Sequence, residues 1–479
     1  RLMDAILAFD AEGKPVEPEW PVVDVIVGNP PFLGDKRMRA ELGDTYISIL
    51  RSLYDGRIPG QSDLVCYWFE NARNGVLTGR AKRVGLLSTN SIRNGANNHV
   101  LLRVKETCSI FWAVSDRDWI LDGAAVNVSM IAFDSGEEKT RLLDGIEVTE
   151  IHSDLSTGAN TVAALKLLEN TGLCFLGMMK AGPFDIDSTT ASQMIDAPLN
   201  LNGRPNSDVL KRRIGGQDVT GRIRDVWIID FGINMSEEDA SLYELPFDYV
   251  RKHVKPVRDE NRRKHMKEKW WLFGEVRPGL RKAISKLNRC IITPEVSKYR
   301  VFTWMDVSFS PDHTLHVIAR DDDYAFGVLH SRFHQLWSLK VGSTLEDRPR
   351  YSSSRIFETF PFLYPPGKEP TGDARVERIA EAARRLVVLR DDWLNPPGLP
   401  EKELTKRTLT NLYNQRPDWL AAAHAELDAA VAEAYGWPAD LSDEEILERL
   451  LAENLRRVGS KGPATTVEED EQESSEETR

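Results

Sequence analysis

The stretch that most limits what this chain can fold into is Val22-Val23-Asp24-Val25-Ile26-Val27-Gly28, followed by Asn29-Pro30-Pro31-Phe32. A nearly unbroken apolar run of strand length predicts a parallel strand covered on both faces, which places the chain in the α/β class. In open α/β sheets, ligands bind just beyond the carboxyl ends of the strands. Asn29 to Phe32 are therefore expected at a binding cleft.

These four residues suit a narrow chemistry. Asn29 offers a side-chain carbonyl, and Pro30 offers a backbone carbonyl with no N–H of its own. Two acceptors fixed in advance can grip both hydrogens of an exocyclic amine and leave its lone pair free to attack. Phe32 adds a flat apolar face for a planar base. That set fits the amino group of an adenine turned out of its helix. The plain alternative is a Pro-Pro turn after a buried strand, with Phe32 filling the core.

Asn29-Pro30-Pro31-Phe32 after an apolar strand resembles motif IV of the gamma-type DNA adenine-N6 methyltransferases. Gly34-Asp35-Lys36-Arg37, Asp63-Leu64-Val65-Cys66-Tyr67-Trp68-Phe69, Leu86-Leu87-Ser88-Thr89-Asn90-Ser91-Ile92 and Asp122-Gly123-Ala124-Ala125-Val126-Asn127-Val128-Ser129-Met130 extend the likeness. They are similar to the large methyltransferases of bacterial restriction–modification and phage-defence systems, from the first residue to about residue 456. The resemblance implies methylation of adenine N6 in duplex DNA by base flipping, with S-adenosylmethionine as methyl donor. Asn29, Pro30, Pro31 and Phe32 would be the catalytic residues. The resemblance also puts Asp4, with Ala5 and Ile6, against the adenine of the cofactor; a surface Asp capping a short helix is the alternative. Protein-glutamine and ribosomal RNA methyltransferases use close variants of the tetrapeptide, so RNA and protein amides remain possible acceptors.

The chain departs from the family in one respect. The glycine-rich cofactor loop precedes motif IV there, and nothing before Val22 can be that loop. An upstream domain or a partner chain is expected to supply it. The competing reading is a DNA-binding specificity module that is catalytically incomplete on its own.

The expected fold is the C-terminal part of a Rossmann-like class I methyltransferase sheet over residues 1–145. An α+β target-recognition domain follows over 146–365, then a helical module over 366–458 and a disordered acidic tail over 459–479. Leu64, Trp68, Ala72 and Val76 stripe a helix, Arg83 to Ser88 reads as a strand, and a helix follows from about Asn97 to Glu106. Ile110 to Val114 and Val126 to Phe133 read as two more strands, which the fold makes an antiparallel hairpin. Ser88, Asn90 and Asn127 are placed to line the cleft or to cap helices. Glu137-Glu138-Lys139 spells a nuclease-like Glu-x-Lys but sits in a turn, and Asp321-Asp322-Asp323 reads as a solvated loop.

The net charge is −12, yet it is unevenly placed. Glu468 to Arg479 carries seven acidic residues and one arginine, whereas Arg251 to Lys269 carries nine Lys/Arg against three Asp/Glu. DNA binding needs a local basic face, not a basic protein. Arg251, Lys252, Arg262, Arg263 and Lys264 are candidates for phosphate contacts, alongside Lys255 and Arg258. Arg348, Arg350, Tyr351, Ser353 and Arg355 form a second basic, hydroxyl-rich loop suited to phosphates or base edges. After the Pro365-Pro366-Gly367 linker, three striped helices are expected, the last opening on a Ser442–Glu445 capping box.

The four cysteines have no paired spacing, which argues against zinc or a disulfide frame. No apolar run approaches 18 residues. A cytoplasmic protein with no membrane span and no metal is expected.

Overall fold

The computed structural model describes residues 4–459 except 122–123, 159–160 and 346–347. Asp122, Gly123 and the tail beyond Gly459 therefore lie outside the described residues. Two compact units emerge, Arg1–Ala163 and Ala164–Arg479.

The first unit is built on a six-stranded sheet. Its strands are β1 (Val23–Gly28), β2 (Ala81–Thr89), β3 (Ser109–Leu121), β4 (Ala124–Asp134), β5 (Arg141–Leu143) and β6 (Ile146–Val148). They lie in the order β1-β2-β4-β3-β5-β6. β1 runs parallel to β2, and β3 with β4 forms the expected antiparallel hairpin. Helices α1 (Asp35–Leu42), α2 (Asp44–Leu53) and α3 (Val65–Leu77) follow β1, and α4 (Gly95–Thr107) follows β2. Leu64, Ala72 and Val76 of the predicted stripe are buried, with Leu86, Val100, Val104, Ile131 and Phe133 in the same core. Gly28 leaves β1 tightly against β2, since a Cβ there would stand 3.2 Å from Leu86 Cδ2.

One expectation for β1 fails. It is an edge strand among the described residues, not a strand covered on both sides. Val22, Val25 and Val27 are 74%, 53% and 82% exposed, while Val23 and Ile26 pack on the core. Val25 and Val27 lie on one face of β1, and no described element covers that face there.

The second unit holds two four-stranded sheets. One has the order β8-β10-β9-β13, from Asp185–Asp187 (β8), Leu210–Ile214 (β9), Val226–Ile229 (β10) and Ser310–Pro311 (β13). The other has the order β12-β11-β14-β7, from Cys174–Leu176 (β7), Arg289–Pro294 (β11), Thr303–Asp306 (β12) and Leu315–Ile318 (β14). The second predicted aromatic strand thus begins at Thr303, beyond Val301.

Helices α5 (Asp323–His330), α6 (Arg332–Val341), α7 (Ala374–Leu394), α8 (Leu409–Gln415), α9 (Asp418–Tyr435) and α10 (Asp443–Gly459) follow. One apolar core joins β11, β14 and α5 to α7, α9 and α10, so the C-terminal helices share the core of the strands before them. Gly327 lets α5 approach α7 closely, as a Cβ there would lie 2.8 Å from Ile379 Cγ2. The capping box is present, with Ser442 N–H donating to Glu445 and Glu445 N–H to Ser442 Oγ. Among the described residues no helix is long and apolar enough to cross a membrane.

Candidate functional site

In the first unit the proline-fixed turn does what its sequence dictates. Pro30 is buried and Phe32 half-buried, while Asn29 and Pro31 are exposed at the carboxyl end of β1. Neither the Asn29 amide nor the Pro30 carbonyl has a hydrogen-bond partner among the described residues. Two acceptors thus stand free beside an aromatic ring. The turn closes with Leu33 N–H donating to Pro31 O at 3.2 Å, and Leu33 O accepts from Leu64 N–H at 2.9 Å.

Around that turn lies a polar network that sequence reading did not single out. The Asp63 carboxylate accepts from Asp35 N–H at 3.0 Å, from Ser91 Oγ at 3.1 Å and from Asn97 Nδ2 at 2.7 Å. Asn97 Oδ1 accepts from Asp63 N–H at 2.7 Å, and Thr89 Oγ1 lies 2.6 Å from Ser91 Oγ. Arg51 pairs with Asp35. Burial of the Asp35 carboxyl, opposed by Arg51 and helped by Asp63, pushes its pKa above the usual range. An Asp just before an apolar helix reads as an ordinary cap of that helix. No local signal says that it caps a different one.

The other candidates of this unit divide. Asn90 and Asn127 both donate to Asp116, at 3.3 and 2.8 Å. Ser88 is fully buried with an unpaired hydroxyl and cannot line a cleft. Asp4 serves as a turn cap: its carboxylate accepts from Ile6 N–H at 2.9 Å, Leu7 N–H at 3.2 Å and the Tyr46 hydroxyl at 2.7 Å. Ala5 gives its carbonyl to Trp20 Nε1 and Asn71 Nδ2. Ile6 is buried in the core. Each of these bonds satisfies a group that would otherwise be stranded. Glu138 pairs with Arg83 and Lys139 donates to Gly136 O, which accounts for the Glu-x-Lys residues structurally.

In the second unit the basic run folds into three helices, Glu244–His253, Lys255–Asp259 and Lys264–Glu268. Arg251, Lys252, Arg262 and Lys264 are exposed and Arg263 is half-exposed. Arg251 pairs with Asp248, Lys255 with Asp259 and Lys264 with Glu268, so part of the charge is answered on the same helices. Arg258 is a correction. It is buried and donates to Lys180 O and Leu272 O, so it holds the fold and does not reach a phosphate.

The second basic loop is divided between surface and interior. Arg348–Arg350 forms a short strand whose two arginines are exposed, Arg350 on Glu295 at 2.7 Å. Tyr351 and Ser353 are corrections. Tyr351 is fully buried and its hydroxyl meets His334 Nε2 at 3.1 Å; Ser353 Oγ faces His316 Nδ1 at 2.9 Å and Cys174 Sγ at 3.2 Å. Both are consumed by the interior. Arg355 is half-exposed, its N–H capped by Ser352 Oγ.

What consumes them is a buried set of histidines and arginines. His334 Nδ1 lies 3.1 Å from Leu329 O, which can only accept, so Nε2 is the acceptor for Tyr351. His330 Nε2 accepts from Phe302 N–H at 3.2 Å and from Arg390 at 2.8 Å. Burial, reinforced by Arg300 and Arg390, drives the pKa of His316 and His334 down to about 3 and that of His330 well below its ordinary 6.5. Burial also lowers Arg300 to about 10. Among the described residues no cluster of His, Cys, Asp and Glu could hold a metal ion.

Comparison with known proteins fits this division. Residues 14–144 match the family described as MmeI, DNA-methyltransferase domain, and residues 184–364 match MmeI, target recognition domain. DNA methyltransferase A of Bacillus subtilis (strain 168) is 26% identical over 449 residues, covering 89% of this chain and 47% of that protein. A solved structure of the Type IIL restriction-modification enzyme MmeI in complex with DNA is similar in fold. Its TM-score is 0.72 at 21% identity, covering 91% of this chain and 57% of that one. A region that matches a DNA-methyltransferase domain is thus followed by one that matches a target recognition domain, and the chain spans about half the length of these relatives.

Proposed function

We propose that this chain is the acceptor-binding and target-reading part of a DNA adenine-N6 methyltransferase of the restriction–modification type. One observation carries the reading: in a region that matches a DNA-methyltransferase domain, Asn29 and Pro30 hold two unengaged acceptors beside Phe32 at a strand's carboxyl end. An adenine turned out of its duplex would lay its ring on Phe32 and give both amino hydrogens to Asn29 Oδ1 and Pro30 O. With the hydrogens held, the nitrogen lone pair is aimed along one direction, so orientation supplies most of the rate effect. Pro31 keeps the turn rigid. Arg251, Lys252, Arg262, Arg263, Lys264, Arg348 and Arg350 are the proposed phosphate and base-edge contacts of the second unit, with Arg355 beside them.

S-adenosylmethionine is the proposed donor, and it brings a methyl group already activated on sulfur. Asp4, Ala5 and Ile6 are its proposed contacts in this chain, with Asp4 also capping its turn and meeting Tyr46, and they supply one half of a donor site, the other half being the glycine-rich loop. We assign that half of the site to an added segment, upstream or on a partner chain, that pairs with the outer edge of β1. The unpaired outer edge of β1, with Val25 and Val27 exposed on one of its faces, supports the assignment. The same edge favours a second reading, a specificity module inactive in isolation.

Two measurements test this. Asn29→Ala in the full-length protein abolishes transfer of labelled methyl to DNA; wild-type turnover would remove Asn29 from the site. Calorimetry of S-adenosylmethionine with this chain alone gives no saturable heat if the donor half lies elsewhere.

A further inference from the structure

Asn29 and Pro30 act only if their turn is held still, and nothing in the Asn-Pro-Pro-Phe sequence reaches back to the next strand. The holding group lies 31 residues further on, if Asp63 is counted from Phe32. Its two carboxylate oxygens serve two elements at once. One accepts from Asp35 N–H, at the first turn of α1 where the catalytic loop ends. The other accepts from Ser91 Oγ and Asn97 Nδ2, in the turn after β2 and the start of α4. Backbone bonds run alongside, Leu64 N–H to Leu33 O at 2.9 Å and Asp63 N–H to Asn97 Oδ1 at 2.7 Å. Ser62 Oγ adds a bond to Ala96 O at 3.1 Å.

We propose that Asp63 is a positioning residue for methyl transfer: its carboxylate ties the exit of the Asn29–Phe32 loop to the Ser91–Asn97 turn and thereby fixes where the two acceptors stand. The proposal rests on the methyltransferase reading above. Three donors converge on Asp63 from two loops that leave adjacent parallel strands. A helix cap alone would need one of them. A displacement of about 1 Å at a reacting centre is enough to cost on the order of a hundredfold in rate, so a tie of this kind matters to turnover more than to stability.

Asparagine at this position tests the tie because it keeps the volume. In either amide orientation its NH2 faces one of the existing donors, Asp35 N–H or Asn97 Nδ2. The reciprocal pair Asp63→Asn with Asn97→Asp restores complementarity, since the new amide donates to the new carboxylate.

In the full-length protein, with tritiated S-adenosylmethionine and unmethylated genomic DNA, Asp63→Asn lowers single-turnover transfer at least about tenfold. KM for DNA moves less than about twofold, since the substrate contacts themselves are intact. Backbone amide exchange over residues 33–36 accelerates while the melting temperature holds. The reciprocal pair recovers both rate and protection. Asp144→Asn, which breaks a similar carboxylate cap on Ser115, leaves turnover unchanged.

Wild-type turnover and unchanged exchange in Asp63→Asn would overturn the proposal. So would a reciprocal pair that melts like wild type but recovers neither. If the wild-type protein transfers no methyl to DNA, the methyltransferase reading falls instead. Exchange over 33–36 in the same variants then still decides whether Asp63 holds the loop.

Discussion

The Asn29–Phe32 loop and the Arg348–Arg355 stretch are both candidate contact surfaces, and the fold treats them in opposite ways. In the first, prolines on both sides of the peptide bond leave the chain few conformations, and the polar groups of the exposed Asn29 and the buried Pro30 are left unpaired among the described residues. In the second, Tyr351 and Ser353 turn inward, where His334 and His316 wait with buried nitrogens that need partners. A hydroxyl is a good base reader and an equally good core ligand. Which it becomes depends on what lies behind it. Rigid backbone, more than residue type, is what keeps a polar group available to a substrate.

The sharpest break between the two regions comes from Asn29→Ala. It should cost methyl transfer about a hundredfold or more, measured as single-turnover transfer of labelled methyl. The melting temperature should not move, because the amide makes no bond in the fold. A drop in both would mean that the loop is structural, like its counterpart.

The next largest effect separates the units by acid. Buried His316 and His334 bind protons far less readily folded than unfolded. At pH 7 both states are mostly neutral. As pH falls below 6.5 the unfolded chain takes up protons that the folded chain refuses, so stability drops. Between pH 7 and 5 the loss is about 2 kcal/mol for each of these histidines. The first unit holds instead the buried Glu70 with Arg73 and Arg103. Burial works against that carboxylate, but hydrogen bonds from the two arginines hold it below its ordinary 4.5, so its contribution survives at pH 5 and fades only lower. Amide exchange at pH 5 should therefore show residues 164–459 opening before the first unit; the reverse order would contradict the assignment.

Tyr351→Phe should destabilise the second unit by about 1 to 2 kcal/mol, since His334 Nε2 is left buried without its donor. Affinity for duplex DNA should stay within error. An affinity loss without a stability loss would restore Tyr351 as a contact. Smallest of all, Lys252→Ala with Arg262→Ala should lower the slope of log affinity against log salt by about 2. An unchanged slope would remove that face from the interface.

Much of the first unit was readable in advance because its signals are local. Apolar runs mark β1, β2 and the two strands β3 and β4, whose hairpin pairing the family resemblance implies, and the Leu64–Val76 stripe marks α3. The polar tetrapeptide was legible for the same reason, since proline dictates its shape alone. Asp63 was not. Its partners Asp35, Ser91 and Asn97 come from three separate segments, and no spacing reveals that they meet. The same holds for the buried histidines, whose partners Phe302, Tyr351 and Arg390 lie on different elements. Arg258 and Tyr351 were misread because charge and hydroxyl content were counted without knowing which carbonyls and ring nitrogens the fold would strand. The open edge of β1 was misread for a different reason: an apolar run reports that a strand wants cover, not whether cover is there.

That open edge has a practical consequence. A strand with unused backbone donors and acceptors and two solvent-facing valines, Val25 and Val27, is a template for any other extended chain. Produced alone at high concentration, this polypeptide should self-associate edge to edge, and a lysine in place of Val25 or Val27 should keep it monomeric in solution.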